Sequence, residues 1–217
     1  MKLIDLSMPF GPSVTPLEGH PHISMEPITT HERDGRSNTK VVFSIHTSTH
    51  IDSPQHFYAD GPTIDQLPLE IFFGRAYLCD VRQVAVPGQP LSVADLQACN
   101  LPTGRTLRGS RLVLFADWAA PRWNGPDLYR GNPFLAEETA QWLVDVGIAA
   151  LAMDFSVDGA YPYPCHQILL GAGIPLIENL VNLDQIPTQE FSLIAFPLKV
   201  EGGDGAPARV VALVGED

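Results

Sequence analysis

The stretch from Arg111 to Met153 constrains the fold more than any other part of the chain. Arg111-Leu112-Val113-Leu114-Phe115-Ala116 reads as a buried strand. Leu135, Thr139, Trp142, Leu143 and Val146 then fall at i, i+4, i+7, i+8 and i+11, one face of a helix. Glu137 and Glu138 suit the positive end of that helix, and Gly147 fits the position just past its last turn. Ile148 to Met153 is a second buried strand. A strand, a helix and a strand in this order make a crossover unit, so part of the sheet is parallel. The expected class is α/β.

Around this unit the signals are more local. Residues 2–7 read as a first strand, Val41 to His46 and Arg75 to Val81 as further strands, and Phe191 to Phe196 and Arg209 to Val214 as late ones. Ser92 is placed to cap a short helix running through Ala98, and His166 to Leu170 suits another. Residues 9–40 and 117–133 are loop regions, the first with room for short strand pieces. Gly202-Gly203-Asp204-Gly205 supplies turn chemistry between the two late strands. No repeat or linker divides the chain, so residues 1–217 are expected to form one domain.

Composition narrows function. Lys and Arg total 13 against 25 Asp and Glu, a formal charge of −12. That balance argues against nucleic acid, which needs a basic face, and against an electrostatic hold on anionic lipid. Twenty Pro and 18 Gly fit long shaped loops, which often carry function. Cys79, Cys99 and Cys165 are widely spaced and form no CxxC pair, which suits a reducing compartment. Asp5 and Pro9 interrupt any secretory apolar core, and no apolar run reaches membrane-spanning length, so the cytoplasm is expected. Phosphate-binding glycine loops, HExxH and GxSxG are absent. Cys165 beside His166 reads as an inert core thiol, since neighbouring side chains point in different directions.

The chemistry concentrates in His46-Thr47-Ser48-Thr49-His50-Ile51-Asp52-Ser53-Pro54-Gln55-His56-Phe57. His46, His50, Asp52 and His56 stand at even offsets, so an extended chain turns all four to one side. A straight strand would still hold His46 and His50 about 13 Å apart. Imidazoles binding one ion at about 2.0–2.1 Å must come much closer, so the chain has to turn at Thr47–Thr49. Mixed nitrogen and oxygen ligands suit Zn, Mn, Fe or Co. By spacing alone, a metal site and a chance cluster of hydrogen-bonded histidines stand level.

The same segment resembles the signature HxGTHxDxPxH of the metal-dependent hydrolases known as putative cyclases, which include bacterial kynurenine formamidases and isatin hydrolases. Only Ser48 departs from it, standing where the family has Gly. Leu114 to Trp118, Met153 to Asp158, His166, Glu178-Asn179-Leu180, Phe196 to Lys199 and Gly203 to Arg209 resemble later family segments in the right order. The resemblance implies a single domain of the swivelling β/β/α type, with a mixed sheet partly closed into a barrel and flanking helices. It implies one or two divalent ions per subunit, Zn or Mn. His46, His50 and Asp52 would bind the first, with Asp52 bridging, and His166 and Glu178 would hold the second. Glu178 has independent support, because a carboxylate inside the apolar run Pro175 to Leu180 is costly unless paired or metal-bound. His56 would be the acid/base. The partner would be a small-molecule substrate, and the assembly a homodimer or homotetramer.

A bound ion would bring the pKa of water toward about 7, and hydroxide would attack an amide, cyclic amide or ester carbonyl. His56 would carry the proton to the leaving group. Leu17 stands where the formamidases carry a Trp that faces substrate, which removes an aromatic stacking surface. Leu17, His20, Phe57 and Trp118 are the candidate pocket residues, with His22 and Trp123 as further possibilities. Three rival functions are a mononuclear iron oxygenase using His50, Asp52 and His166, a biosynthetic cyclase or dehydratase at the same ions, and a non-catalytic binding protein on the same scaffold.

Overall fold

A computed structural model describes residues 1–102 and 104–215. In chain order the elements are β1 (Lys2–Asp5), β2 (Ser24–Thr29), α1 (His31–Asp34), β3 (Asn38–Val42), β4 (His50–Asp52), β5 (Phe73–Asp80) and β6 (Pro90–Leu91). There follow α2 (Val93–Ala98), α3 (Gly104–Leu107), β7 (Arg111–Phe115), β8 (Phe134–Leu135), α4 (Glu137–Val146) and β9 (Ala150–Met153). The chain ends with α5 (Pro164–Gly171), β10 (Leu176–Glu178), β11 (Glu190–Ile194), β12 (Gly205–Pro207) and β13 (Val211–Val214).

Nine strands form one curled, mixed sheet in the order β1-β13-β11-β5-β7-β9-β10-β4-β12. The consecutive strands β5, β7, β9 and β10 are parallel to one another, and the remaining strand pairings of this sheet are antiparallel. The crossovers between β7, β9 and β10 are α4 and α5, as the strand-helix-strand pattern requires. Alternation along the strands sorts the core. Leu112, Leu114, Leu151 and Met153 pack under the helices with Leu143 and Leu169. Val113, Phe115, Ala150 and Ala152 point to the other face, against Ile51, Ile177, Leu6 and Val210.

Helix boundaries follow local chemistry. Ser92 and Asp95 form a reciprocal capping box at the start of α2. Gly147 closes α4 at φ 75°, where its N–H reaches the carbonyls of Leu143 and Val144. Leu135 lies outside that helix, in β8, which pairs with β6 beside the sheet.

Two strand expectations shift. The strand expected at Val41 to His46 lies earlier, at Asn38–Val42, where it pairs with β2 in a separate hairpin. The chain leaves the strand at Phe43 because residues 45–49 must bend to bring the histidines together. The glycine-rich turn after residue 201 also contains β12, which pairs with β4 at the sheet edge. Among the described residues, no helix is long and apolar enough to cross a membrane.

Candidate metal centre

The site occupies the sheet edge formed by β10, β4 and β12. In the β10–β4 register Glu178 faces His50 and Leu176 faces Asp52, so this pairing places two of the carboxylates and one imidazole at adjacent positions. The preceding turn supplies His46. Ser48 sits at φ 65°, in the left-handed region that favours glycine. This is the bend the ligand spacing demands, and it brings the His46 and His50 ring centroids to 5.2 Å. Ser48 also gains an anchor that glycine lacks, because its Oγ donates to the Pro9 carbonyl at 3.0 Å.

Three imidazoles share one arrangement. His50 Nδ1–H donates to the Ser48 carbonyl at 2.9 Å, leaving Nε2 at 3.2 Å from Asp52 Oδ1. His166 Nδ1 meets Asp158 Oδ2 at 2.7 Å, leaving Nε2 at 3.6 Å from both Asp52 Oδ2 and Glu178 Oε1. His46 places Nδ1 at 2.7 Å from Asp52 Oδ1 and Nε2 at 2.9 Å from Asp204 Oδ2. In each ring one nitrogen is held by an outer acceptor and the other turns toward Asp52. Ligand histidines are commonly fixed this way, because the outer acceptor sets the tautomer and the aim of the ring.

These residues fit a divalent ion. Ligand atoms of His50, Asp52 and Glu178 lie within 4.8 Å of one another, as do those of His46, Asp52 and His56. His50, Asp52, His166 and Glu178 are buried. Two carboxylates and neutral imidazoles so placed supply the hard and borderline donors that such ions take.

The electrostatics show how the cluster balances itself without a cation. Burial opposes charge on His46, but Asp52 and Asp204 outweigh it and raise its pKa to about 9. For His166 burial is again overcome, by Asp158, Asp52 and Glu178, and the pKa rises to about 10. Asp52, despite complete burial, is held well below the usual carboxylate range by His50, His46 and His166. Burial pushes Glu178 up, and the negative charge of Asp52 adds to that. His56 behaves differently: burial, reinforced by repulsion from His46 and His166, lowers it to about 4, so its ring is neutral at neutral pH.

A cavity of about 200 Å³ opens onto the cluster. Leu17, His20 and Phe57 line it, and so do Tyr129, Tyr163 and Ser156. Phe57 stacks on His166 with centroids 5.0 Å apart. Trp118 does not reach this cavity. It is buried, its indole N–H donates to the Leu128 carbonyl at 2.7 Å, and Arg122 covers its ring. Trp123 packs with Met8, Val14 and Leu128, and His22 lines a neighbouring cavity that shares Leu17, His20 and Tyr129. The loop at 117–133 does turn a ring into the cavity, and that ring is Tyr129. Asp158, Asp204 and Tyr163 were not assigned roles from the sequence. Each is a single polar or aromatic residue in an irregular stretch, and only the fold brings it to the cluster.

The Putative cyclase profile matches residues 4–159. The chain is 33% identical over 212 residues to the kynurenine formamidase of Bacillus cytotoxicus, covering 96% of this chain and 95% of that protein. It is 31% identical to the kynurenine formamidase of Salinibacter ruber, covering 97% of each. Among solved structures, isatin hydrolase A from Labrenzia aggregata bound to benzyl benzoate superposes with a TM-score of 0.88 at 28% identity, covering 99% of this chain and 94% of the other. Isatin hydrolase A from Ralstonia solanacearum gives 0.85 at 27%, covering 99% and 92%. With a profile match over more than half of its length and relatives above 30% identity over nearly all of it, the chain belongs to the Putative cyclase family.

Proposed function

We propose that the protein is a metal-dependent hydrolase that breaks the C–N bond of a small amide or cyclic amide, with small esters as further substrates. The observation that carries this reading is the shared arrangement of His46, His50 and His166, each fixed on one nitrogen and aimed by the other at Asp52. His46, His50 and Asp52 hold one ion, and His166 and Glu178 with Asp52 hold a second where two are bound. The donor set also suits Fe and Co, and the family resemblance narrows the ion to Zn or Mn. It supplies Lewis acidity and acidifies water toward neutral pH.

The chain's own residues do the rest. His56 has a neutral ring beside the ligands, so its Nε2 can accept a proton from the attacking water and return it to the leaving nitrogen. Phe57, Tyr129, Tyr163 and Leu17 shape the cavity and limit water. Leu17 offers an aliphatic surface, so stacking on an aryl substrate falls to Phe57 and Tyr163. That favours a compact formamide or lactam over N-formylkynurenine. The mixed sheet with two helical crossovers counts against a β-barrel iron oxygenase. Residues 1–217 act as one hydrolase domain, a homodimer or homotetramer on the strength of the family resemblance, in the reducing cytoplasm that the widely spaced cysteines suit.

The test couples metal analysis of the purified protein to a hydrolysis panel of formamides, isatin-like lactams and lactones. Bound Zn or Mn, with turnover that stops on chelation and returns on re-addition, is the expected result. A protein with no metal and no metal-dependent turnover overturns the proposal.

A further inference from the structure

We propose that Asp204 is a positioning residue, whose single carboxylate aims His46 at the metal site and orients His56 beside it. This inference rests on the hydrolase reading above. Asp204 stands 158 residues after His46, in the turn that leads into β12. Its backbone is pinned to the site, because its carbonyl accepts from Ser53 N at 3.0 Å and from Ser53 Oγ at 2.9 Å. The next residue must be glycine: a Cβ on Gly205 would lie 2.5 Å from the Ile51 carbonyl oxygen and 3.1 Å from His46 Cε1. The turn therefore presses against the histidine ring with no slack.

From that fixed turn the Asp204 carboxylate reaches two imidazoles. Oδ2 lies 2.9 Å from His46 Nε2 and 3.7 Å from His56 Nδ1. The two rings stack at 3.8 Å between centroids and 28° between planes. One oxygen thus serves the edges of a ligand and of the acid/base. For His46 it plays the part that Asp158 plays for His166 and the Ser48 carbonyl plays for His50. For His56 it favours the tautomer with the proton on Nδ1, leaving Nε2 for substrate; the longer separation is of the kind that tightens when substrate binds.

Asp204 is also a cleaner probe than Asp158. The Asp158 carboxylate additionally accepts from Cys165 N and His166 N at the start of α5, so its loss disturbs a helix as well. Apart from its own backbone, the Asp204 carboxylate meets only the two histidines among the described residues. Asp204→Asn keeps shape and removes charge.

The experiment measures affinity for Zn and for Mn by chelator competition, alongside thermal midpoint and turnover of the best substrate in the panel. Asp204→Asn should weaken metal binding about 10–100-fold at unchanged stoichiometry. It should lower kcat with little change in KM and leave the melting temperature near wild type, and Asp204→Glu should recover part of the affinity. Wild-type metal affinity in Asp204→Asn would overturn the proposal while leaving the hydrolase reading intact. Loss of one ion from the stoichiometry would overturn it in another way, by making Asp204 a ligand. A wild-type protein that binds neither metal would sink the hydrolase reading and this inference with it. The metal measurement decides even where no panel compound is turned over.

Discussion

The centre and the edge of the sheet are built on opposite principles. In β7 and β9 every residue is buried, and apart from Arg111 every residue is apolar. Their order comes from period and area, with helices over one face and a second core under the other. At the edge, β4 and β10 are three residues each, and they are flanked by Ser48 and Asn179, both at positive φ. Thr47, Ser48, Thr49, His50, Asp52 and Ser53 are all buried there. That edge is held by specific bonds: Thr49 Oγ1 donates to the Asn179 carbonyl at 2.7 Å and accepts from Met8 N at 2.9 Å, and Asn179 Nδ2 reaches the Ser48 carbonyl at 3.2 Å. Burying polar groups costs free energy unless they are satisfied, and of these side chains only Thr47 Oγ1 lacks a partner among the described residues, so the edge tolerates few alternative arrangements. The centre supplies stability and the edge supplies aim.

That division can be broken from either side. Asp52→Asn should abolish metal binding and cut activity by about 10³-fold or more, beyond the 10–100-fold typical of an outer partner. Its circular dichroism should stay that of the folded protein; a collapse of the fold would show that the edge carries stability as well. Leu114→Ala should do the reverse. Removing a fully buried leucine in this position should cost about 2–5 kcal/mol in denaturant titration, with metal stoichiometry per folded molecule unchanged.

A smaller effect should appear with pH. In the metal-free protein His46 and His166 are raised to about 9 and about 10, above the ordinary histidine value of 6.5. Their contribution to stability is therefore complete below pH 6.5 and is lost as pH rises through those values. His56, lowered to about 4, works in the opposite sense, costing stability as pH falls from 6.5 through 4. Chelated protein should melt at progressively lower temperature from pH 7 to pH 10. Saturating Zn should remove that slope, since ligand imidazoles are already deprotonated. A slope that persists unchanged with metal would place the alkaline loss elsewhere.

Ser48→Gly should have the smallest effect. It relieves a left-handed serine, worth about 1–2 kcal/mol, and forfeits the Oγ bond to Pro9, worth about 1 kcal/mol. The net change in stability should stay within about 1 kcal/mol, with metal affinity retained. A large loss of metal affinity would mean that the serine hydroxyl, rather than the bend alone, holds the loop.

The same contrast explains what could be read from the sequence. Regular periods made the central strands and α4 legible, and the even spacing of His46, His50, Asp52 and His56 exposed half of the cluster within one segment. Glu178 could be suspected because a carboxylate interrupts an apolar strand. His166 stood out only through the family resemblance, since a histidine at a helix start has ordinary explanations. Asp158 and Asp204 were illegible as partners, because their significance depends on which loop reaches the edge, and nothing local encodes that. Trp118 was misplaced for a related reason: a loop rich in rings does not show which ring faces inward. The displaced hairpin at β2 and β3 reflects a local run of β-branched residues that ends where the site demands a bend.

The most direct test of the division of labour within the cluster is His56→Ala, assayed for bound metal and for turnover in the same preparation. Because His56 can also be grouped with His46 and Asp52 as a ligand set, metal content distinguishes its two possible roles. The account predicts Zn or Mn at wild-type stoichiometry with kcat lowered about 10²–10⁴-fold. Loss of an ion in His56→Ala would make His56 a ligand and contradict its assignment as the acid/base.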